Sequence, residues 1–345
     1  MSVRIGLGLF TGQIPPGTDR TFAEEYRDIV QLSRLAEAVG FDSVWVSEHH
    51  GSSDGYLPSL LPILAGLATA TERVLLGTGV MLTPFHHPLR LAEDAAVVDQ
   101  LSDGRLILGL GLGWRDEEFR MFGVPPPERV RRTVETVDIL RKAWTGDRFS
   151  HDGKVFSFDK VKVTPRPAGE QGPPIYLGGM VEQSIRRAGR LGDGYIRSRG
   201  DLDSTRQALA WADEGAREGG KAPGEIGFAF LQNAFVWEDG DAWEVVQSGA
   251  AHQLGVYAAW REGADTPDVD RLDVPSADEA MLRKLTPAGD RHEVIQALRP
   301  LVDAFGDRRE FHLVVRLHYP GMDFKTASRA VELFGEEVVP ALKGS

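Results

Sequence analysis

Cysteine is absent from this chain of 345 residues. Its absence excludes a disulfide framework, a thiolate nucleophile and any thiolate-ligated metal. No apolar run approaches the roughly 20 residues that span a bilayer, and the N-terminus has no basic segment leading into an apolar signal core. Positive charge is also in short supply: 39 Lys and Arg stand against 51 Asp and Glu, a net charge of -12. Apart from short stretches such as Arg129 to Arg132 there is no dense basic run, so a nucleic-acid partner is not expected. Repeats of supersecondary length, low-complexity tracts and a clear linker are missing as well. The expectation is a cytoplasmic protein that acts on a small molecule, with no membrane partner.

What the chain does have is 42% hydrophobic content, enough for a large core. Eight β-rich runs recur, at residues 4–10, 43–48, 74–81, 106–113, 174–179, 193–198, 227–236 and 310–319, and helix-length stretches lie between most of them. Residues 22–39 put Phe22, Tyr26, Ile29, Ser33 and Ala36 on one face, and residues 133–144 do the same with Thr133, Val137, Leu140 and Trp144. Most of the strands read as apolar on both faces. That pattern predicts an α/β fold, a closed (β/α)8 TIM barrel, spanning 1–345 as a single domain. Residues 146–172 and 238–287 break the repeat and are expected as insertions over the barrel mouth. In the first, Asp152-Gly153 suggests a hairpin turn; the second reads as a helical substrate lid.

The chemistry-bearing clusters fall where strands run out into loops, the end at which parallel α/β folds gather ligands. From Leu108 to Gly113, Leu and Gly alternate, so one strand face is bare backbone; Gly77 and Gly79 repeat the device one strand earlier. A flat ligand is the expected occupant, since glycine lets backbone approach it closely. Gly178-Gly179 ends the fifth strand just before a helix that begins near Glu182, which makes an anion site at the helix N-terminus. Arg129, following Pro125-Pro126-Pro127, is placed to supply a charge-assisted contact there. Glu48-His49-His50 offers a general base in a histidine, with Glu48 to orient it. Neighbouring histidines on a strand end point opposite ways, and no metal site is expected.

Glu48-His49-His50, Gly55-Tyr56-Leu57-Pro58-Ser59, Leu76-Gly77-Thr78-Gly79-Val80, His87-Pro88-Leu89-Arg90, Leu101-Ser102-Asp103-Gly104-Arg105 and Phe122-Gly123 follow one another in order. In this the chain resembles the luciferase-like flavin monooxygenase superfamily. The likeness covers nearly the whole length and weakens after about residue 200. It implies a flavin at the carboxyl end of the barrel, His49 as catalytic base, and a non-proline cis peptide at Gly79-Val80 beneath the ring. Phosphate contacts are implied from Arg129, one residue out of register, and from the stretch Gly179-Met180 to Gln183. Two departures count: Gly111 stands where the light-emitting enzymes have a reactive cysteine, and Leu112 replaces a phosphate-holding arginine. Light emission is not expected.

The residue reading and the resemblance together give catalytic residues His49 and Glu48 and a cofactor bed of Gly79, Val80, Gly111, Arg129, Gly178, Gly179 and Met180. The expected function is a monooxygenase that uses reduced FMN, supplied by a separate flavin reductase, and molecular oxygen on a small organic substrate. One alternative is hydride transfer with the deazaflavin coenzyme F420, in keeping with Gly113-Trp114 followed by Glu117-Glu118. Another is a non-catalytic flavin-binding protein. Phe10, Trp114, Trp237, Trp260, His318 and Tyr319 are expected at the mouth, favouring an apolar or ring-bearing substrate, and the resemblance implies a homodimer.

Overall fold

Strands that are apolar on both faces need cover on both, and a sheet that closes on itself inside a ring of helices provides it. The computed structural model describes residues 3–261 and 279–344. Its barrel strands are Val3–Phe10, Ser43–Val46, Leu75–Thr78, Leu106–Gly111, Ile175–Gly178, Gly194–Ser198, Gly227–Asn233 and Phe311–Arg316. Each pairs in parallel with the next, and Ile5 opposite Leu313 joins the first strand to the eighth. The expected (β/α)8 barrel is therefore the fold. Six of the eight strands stop one to three residues short of the run read from sequence. Most of those residues lie beyond the barrel strands at the mouth, where several of the site residues lie, while Met81 pairs with Leu110 of the fourth strand.

The helices form the outer layer. α1 (Phe22–Ala38) starts with a reciprocal Thr21–Glu24 capping box and buries Ile29, Leu32, Ser33 and Ala36, while Phe22 stays exposed. α2 (Leu60–Ala70), α3 (Pro88–Leu101) and α4 (Asp116–Met121) follow. α5 (Arg129–Trp144) buries Thr133, Val137, Leu140 and Trp144, the stripe expected of it. α6 (Glu182–Leu191) and α7 (Leu202–Glu218) pack side by side, with Gly189 and Gly215 allowing their backbones to meet.

The lower half of the barrel is filled by Trp45, Ile107, Tyr176, Ile196, Ala229, Leu231 and Val314. This corrects the reading of two glycines as a ligand face. A Cβ at Gly77 would collide with the Trp45 ring, and one at Gly109 with the Thr78 carbonyl and Ile196, so both serve internal packing. Truncating a ring as enclosed as Trp45 to alanine costs about 3–5 kcal/mol.

In the first insertion, Phe149–Asp152 pairs antiparallel with Ser157–Val161, the hairpin expected there. Its turn is held by the Glu135 carboxylate, which accepts the backbone N–H groups of Lys154, Val155 and Phe156. The second contains α8 (Ala242–Arg261) and α9 (Glu279–Leu285); residues 262–278 of that expected insertion lie outside the described residues. α10 (Arg291–Phe305), α11 (Phe324–Leu333) and α12 (Val339–Lys343) complete the chain. Among the described residues no helix is long and apolar enough to cross a membrane.

Candidate active site

The second strand ends at Val46, and alternation then sends the side chains of Glu48, His49 and His50 to different sides of the rim. His49 turns inward. Its Nδ1 lies 2.9 Å from Glu118 Oε1 on α4, an oxygen that also accepts the His50 backbone N–H at 2.9 Å and lies 3.5 Å from Arg115 Nη1. With donors converging on that oxygen, the network assigns the proton to Nδ1 and leaves Nε2 as the acceptor nitrogen. Glu118 Oε2 is buried without a hydrogen-bond partner.

Glu48 turns the other way. Its Oε1 accepts from His50 Nε2 at 2.7 Å and His86 Nε2 at 3.0 Å, and its Oε2 accepts the Leu82 N–H at 2.8 Å. Burial alone would raise its pKa, but the His50 and His86 hydrogen bonds override it and hold the carboxyl at about 2. His86 is raised because the Glu48 hydrogen bond outweighs burial. The expectation that Glu48 orients His49 is thus corrected: Glu48 fastens His50 and His86, and Glu118 is the carboxylate on His49. The physical reason is that the chain beyond Val46 sends successive side chains to opposite sides, so that residues 48 and 49 meet different partners.

Aromatic rings enclose His49. Tyr56 meets it edge-on with centroids 4.9 Å apart, Trp260 lies at 4.8 Å, Tyr257 at 5.5 Å and Trp114 at 6.2 Å. Tyr257 and Trp260 come from α8, so this helix covers the mouth. Arg115 lies 3.9 Å above the Trp260 ring and donates to the His50 carbonyl at 2.7 Å. α8 is anchored at its middle, where His252 Nε2 lies 2.9 Å from Asp54 Oδ2, an oxygen that also accepts from Gln13 at 2.6 Å. The tyrosine hydroxyls of residues 56 and 257 are 3.1 Å apart, and burial raises both.

The expected cofactor bed is assembled in part. The Gly79-Val80 peptide is cis, as is Gly8-Leu9. Val80 sits between Gly111 and Gly178: a Cβ at Gly111 would collide with its side chain, and one at Gly178 would lie 3.3 Å from it. The Gly179 carbonyl accepts from Tyr195 Oη at 2.9 Å, and Met180 beyond it is exposed ahead of α6. Arg129 is half-buried at the start of α5, and no hydrogen bond or ion pair joins its side chain to that turn. Arg197 is the buried cation beside it. It packs against Tyr195, donates to Ser204 Oγ at 3.1 Å and has a buried Nε without a partner.

Of the aromatic residues expected at the mouth, Trp114 and Trp260 reach His49. Phe10 and His318 are buried together, the latter held neutral by burial, with a pKa of about 3. Trp237 stacks on Phe235, and Tyr319 is buried with its hydroxyl donating to the Ala234 carbonyl. Sequence reasoning missed Tyr56, Tyr257, Arg115 and the His252–Asp54 anchor. The Gly-Tyr-x-Pro-Ser run marked Tyr56, but nothing in sequence ties residue 257 to residue 49.

The family model described as luciferase-like monooxygenase matches residues 4–308. An F420-dependent glucose-6-phosphate dehydrogenase of Kineococcus radiotolerans is 31% identical over 353 residues, covering 99% of this chain and 97% of that protein. The 4-hydroxyprotoasukamycin monooxygenase of Streptomyces nodosus subsp. asukaensis is 27% identical, covering 99% and 93%. Among solved structures, monooxygenase RslO1 from Streptomyces bottropensis superposes with a TM-score of 0.82 at 27% identity, covering 98% of this chain and 99% of that one.

Proposed function

The chain belongs to the luciferase-like monooxygenase family of oxidoreductases, and from that premise we propose that it is a deazaflavin-dependent oxidoreductase that dehydrogenates a hydroxyl-bearing small molecule. When bound, a deazaflavin supplies two-electron hydride chemistry without oxygen. The residues present fit a flat group of this kind: Gly79, Gly111 and Gly178 give room to the Leu9 and Val80 side chains, so that Val80 can form a bed at the rim, and Arg197 beside the Gly179 turn offers an unpartnered donor to a phosphate. FMN is the cofactor the sequence favours, and likeness to F420-dependent dehydrogenases moves the reading to the deazaflavin.

The observation that carries this reading is the His49–Glu118 pair. Oxidising an alcohol carbon requires a base for the hydroxyl proton, and His49 Nε2 is the free acceptor in an enclosed mouth. Glu118 fixes the ring and steadies the positive charge that builds on it. Trp114, Tyr257 and Trp260 keep water from the reacting atoms. Titration of the purified protein with the deazaflavin and with reduced FMN, followed by absorbance under argon and then with oxygen, tests the reading. Tight deazaflavin binding and anaerobic, substrate-dependent reduction are expected; FMN binding alone, with oxygen consumption, would reject it.

The second reading is the FMN monooxygenase of the sequence analysis, fed by a separate reductase. The aromatic closure over His49 favours it, because oxygen activation on a reduced flavin demands a dry mouth. The same titration separates the two.

A further inference from the structure

Three arginines near the carboxyl ends of the sixth and eighth strands make no ion pair with a carboxylate among the described residues: Arg197, Arg199 and Arg316. Arg197 lies at the fifth-strand turn already described. The other two flank the end of the seventh strand. Arg316 is the last residue of the eighth strand, opposite Asn233 in register, and alternation from His312 and Val314 directs it into the barrel mouth. It is 3% exposed, and its Nη1 is buried without a hydrogen-bond partner. Arg199 follows the sixth strand in a left-handed conformation, φ 55°, which turns the chain back, and its N–H donates to the Leu231 carbonyl at 3.1 Å.

The Arg316 guanidinium lies 6.0 Å from the Tyr319 ring, and both cations are near enough to the tyrosine pair beside His49 to act on it electrostatically. The charges of Arg316 and Arg199 both act on the Tyr257 hydroxyl, and Glu118, already committed to His49, is the carboxylate that also reaches it. A buried guanidinium with unused donors and no counter-charge costs several kcal/mol unless an anion completes it. The cofactor bed lies around Val80 on the third, fourth and fifth strands, with Arg197 of the sixth at its phosphate end, whereas Arg316 ends the eighth strand. The Arg316 guanidinium therefore points into the part of the mouth left for substrate.

We propose that Arg316 and Arg199 form a subsite for an anionic oxygen group, phosphate or carboxylate, on the substrate, so that the substrate is anchored by its charge across the mouth from His49. This rests on the reading of the mouth as a substrate site but not on which cofactor occupies the bed. It adds a charged anchor to the expected apolar or ring-bearing substrate: the aromatic residues line the His49 side and the arginines the other.

The test uses protein saturated with whichever of deazaflavin or FMN binds, so that the cofactor's own phosphate site is filled. Inorganic phosphate and acetate are titrated in by calorimetry against the parent, Arg316→Lys, Arg316→Gln and Arg199→Gln, with melting temperature and cofactor affinity recorded for each. Saturable binding of at least one anion is expected, weakened about tenfold or more in Arg199→Gln and Arg316→Gln and less in Arg316→Lys, with cofactor affinity changed by less than about threefold. Tighter binding of phosphate than of acetate marks the group as a phosphate, and the reverse order as a carboxylate. Binding of neither anion, or binding equal in parent and folded Arg199→Gln, overturns the proposal. So does a loss of cofactor affinity in the arginine variants, which would assign these residues to the cofactor. None of these outcomes depends on turnover, so failure here leaves the dehydrogenase reading to its own titration.

Discussion

His49 and His50 are neighbours in the chain and sit in two different regions of the molecule. His49 faces the mouth, with one carboxylate on Nδ1 and rings on its remaining sides. His50 faces away from it, locked with His86 onto a Glu48 carboxylate that accepts three hydrogen bonds. In the outer cluster the buried carboxylate is saturated, which is how a fold holds a charge it does not use. In the inner one a histidine nitrogen and Glu118 Oε2 are left over, along with the unpaired arginines across the mouth. Leftover capacity in a buried setting is costly, and it marks the region where a ligand completes the structure.

The division is sharpest in mutants. His49→Ala is expected to lower turnover by about 10²–10⁴-fold while cofactor affinity stays within about threefold, as steady-state kinetics beside a cofactor titration will measure. Glu118→Gln keeps an acceptor oxygen but removes the charge that steadies the protonated ring. A fall of about 10²-fold in kcat, with a smaller change in KM, is expected; equal activity in this variant would break the inner half of the comparison. Glu48→Gln belongs to the outer half. It should destabilise by about 3 kcal/mol in urea unfolding and leave kcat within about threefold, because one partner of a buried cluster is lost.

The smallest effect is one of pH. The Glu48 pKa is depressed from 4.5 to about 2 in the fold, so its stabilisation is complete above 4.5 and is lost as pH falls toward 2. The His86 pKa is raised above 6.5, so its share is complete below 6.5 and fades as pH rises through the raised value. The stability gap between parent and Glu48→Gln should therefore be widest near pH 5–6 and shrink on both sides. A gap independent of pH would mean that the cluster's charge contributes nothing.

The barrel was legible because strand period, helix stripe and turn chemistry are local signals, and all eight strands lie where apolar runs alternate with amphipathic helices. The carboxyl ends were less legible: six runs read past the end of their barrel strand, and a run of apolar letters does not say where the strand stops. His49 was found through its motif. Its partner was misassigned to Glu48 because adjacency in sequence is not adjacency in a strand, whereas Glu118 lies 69 positions away and is brought in by α4. Gly77 and Gly109 look like a ligand face in sequence, yet only the packed interior reveals Trp45 and Ile196 filling the space. Arg199 and Arg316 gave no signal, since an arginine letter does not tell whether a carboxylate waits for it.

Turnover and unfolding free energy of His49→Ala and His50→Ala, measured side by side on the same preparation, test the division of labour most directly. The account predicts that His49→Ala loses turnover and keeps its stability, while His50→Ala loses stability and keeps turnover in the fraction that remains folded. Equal loss of turnover per folded molecule in both variants would contradict it.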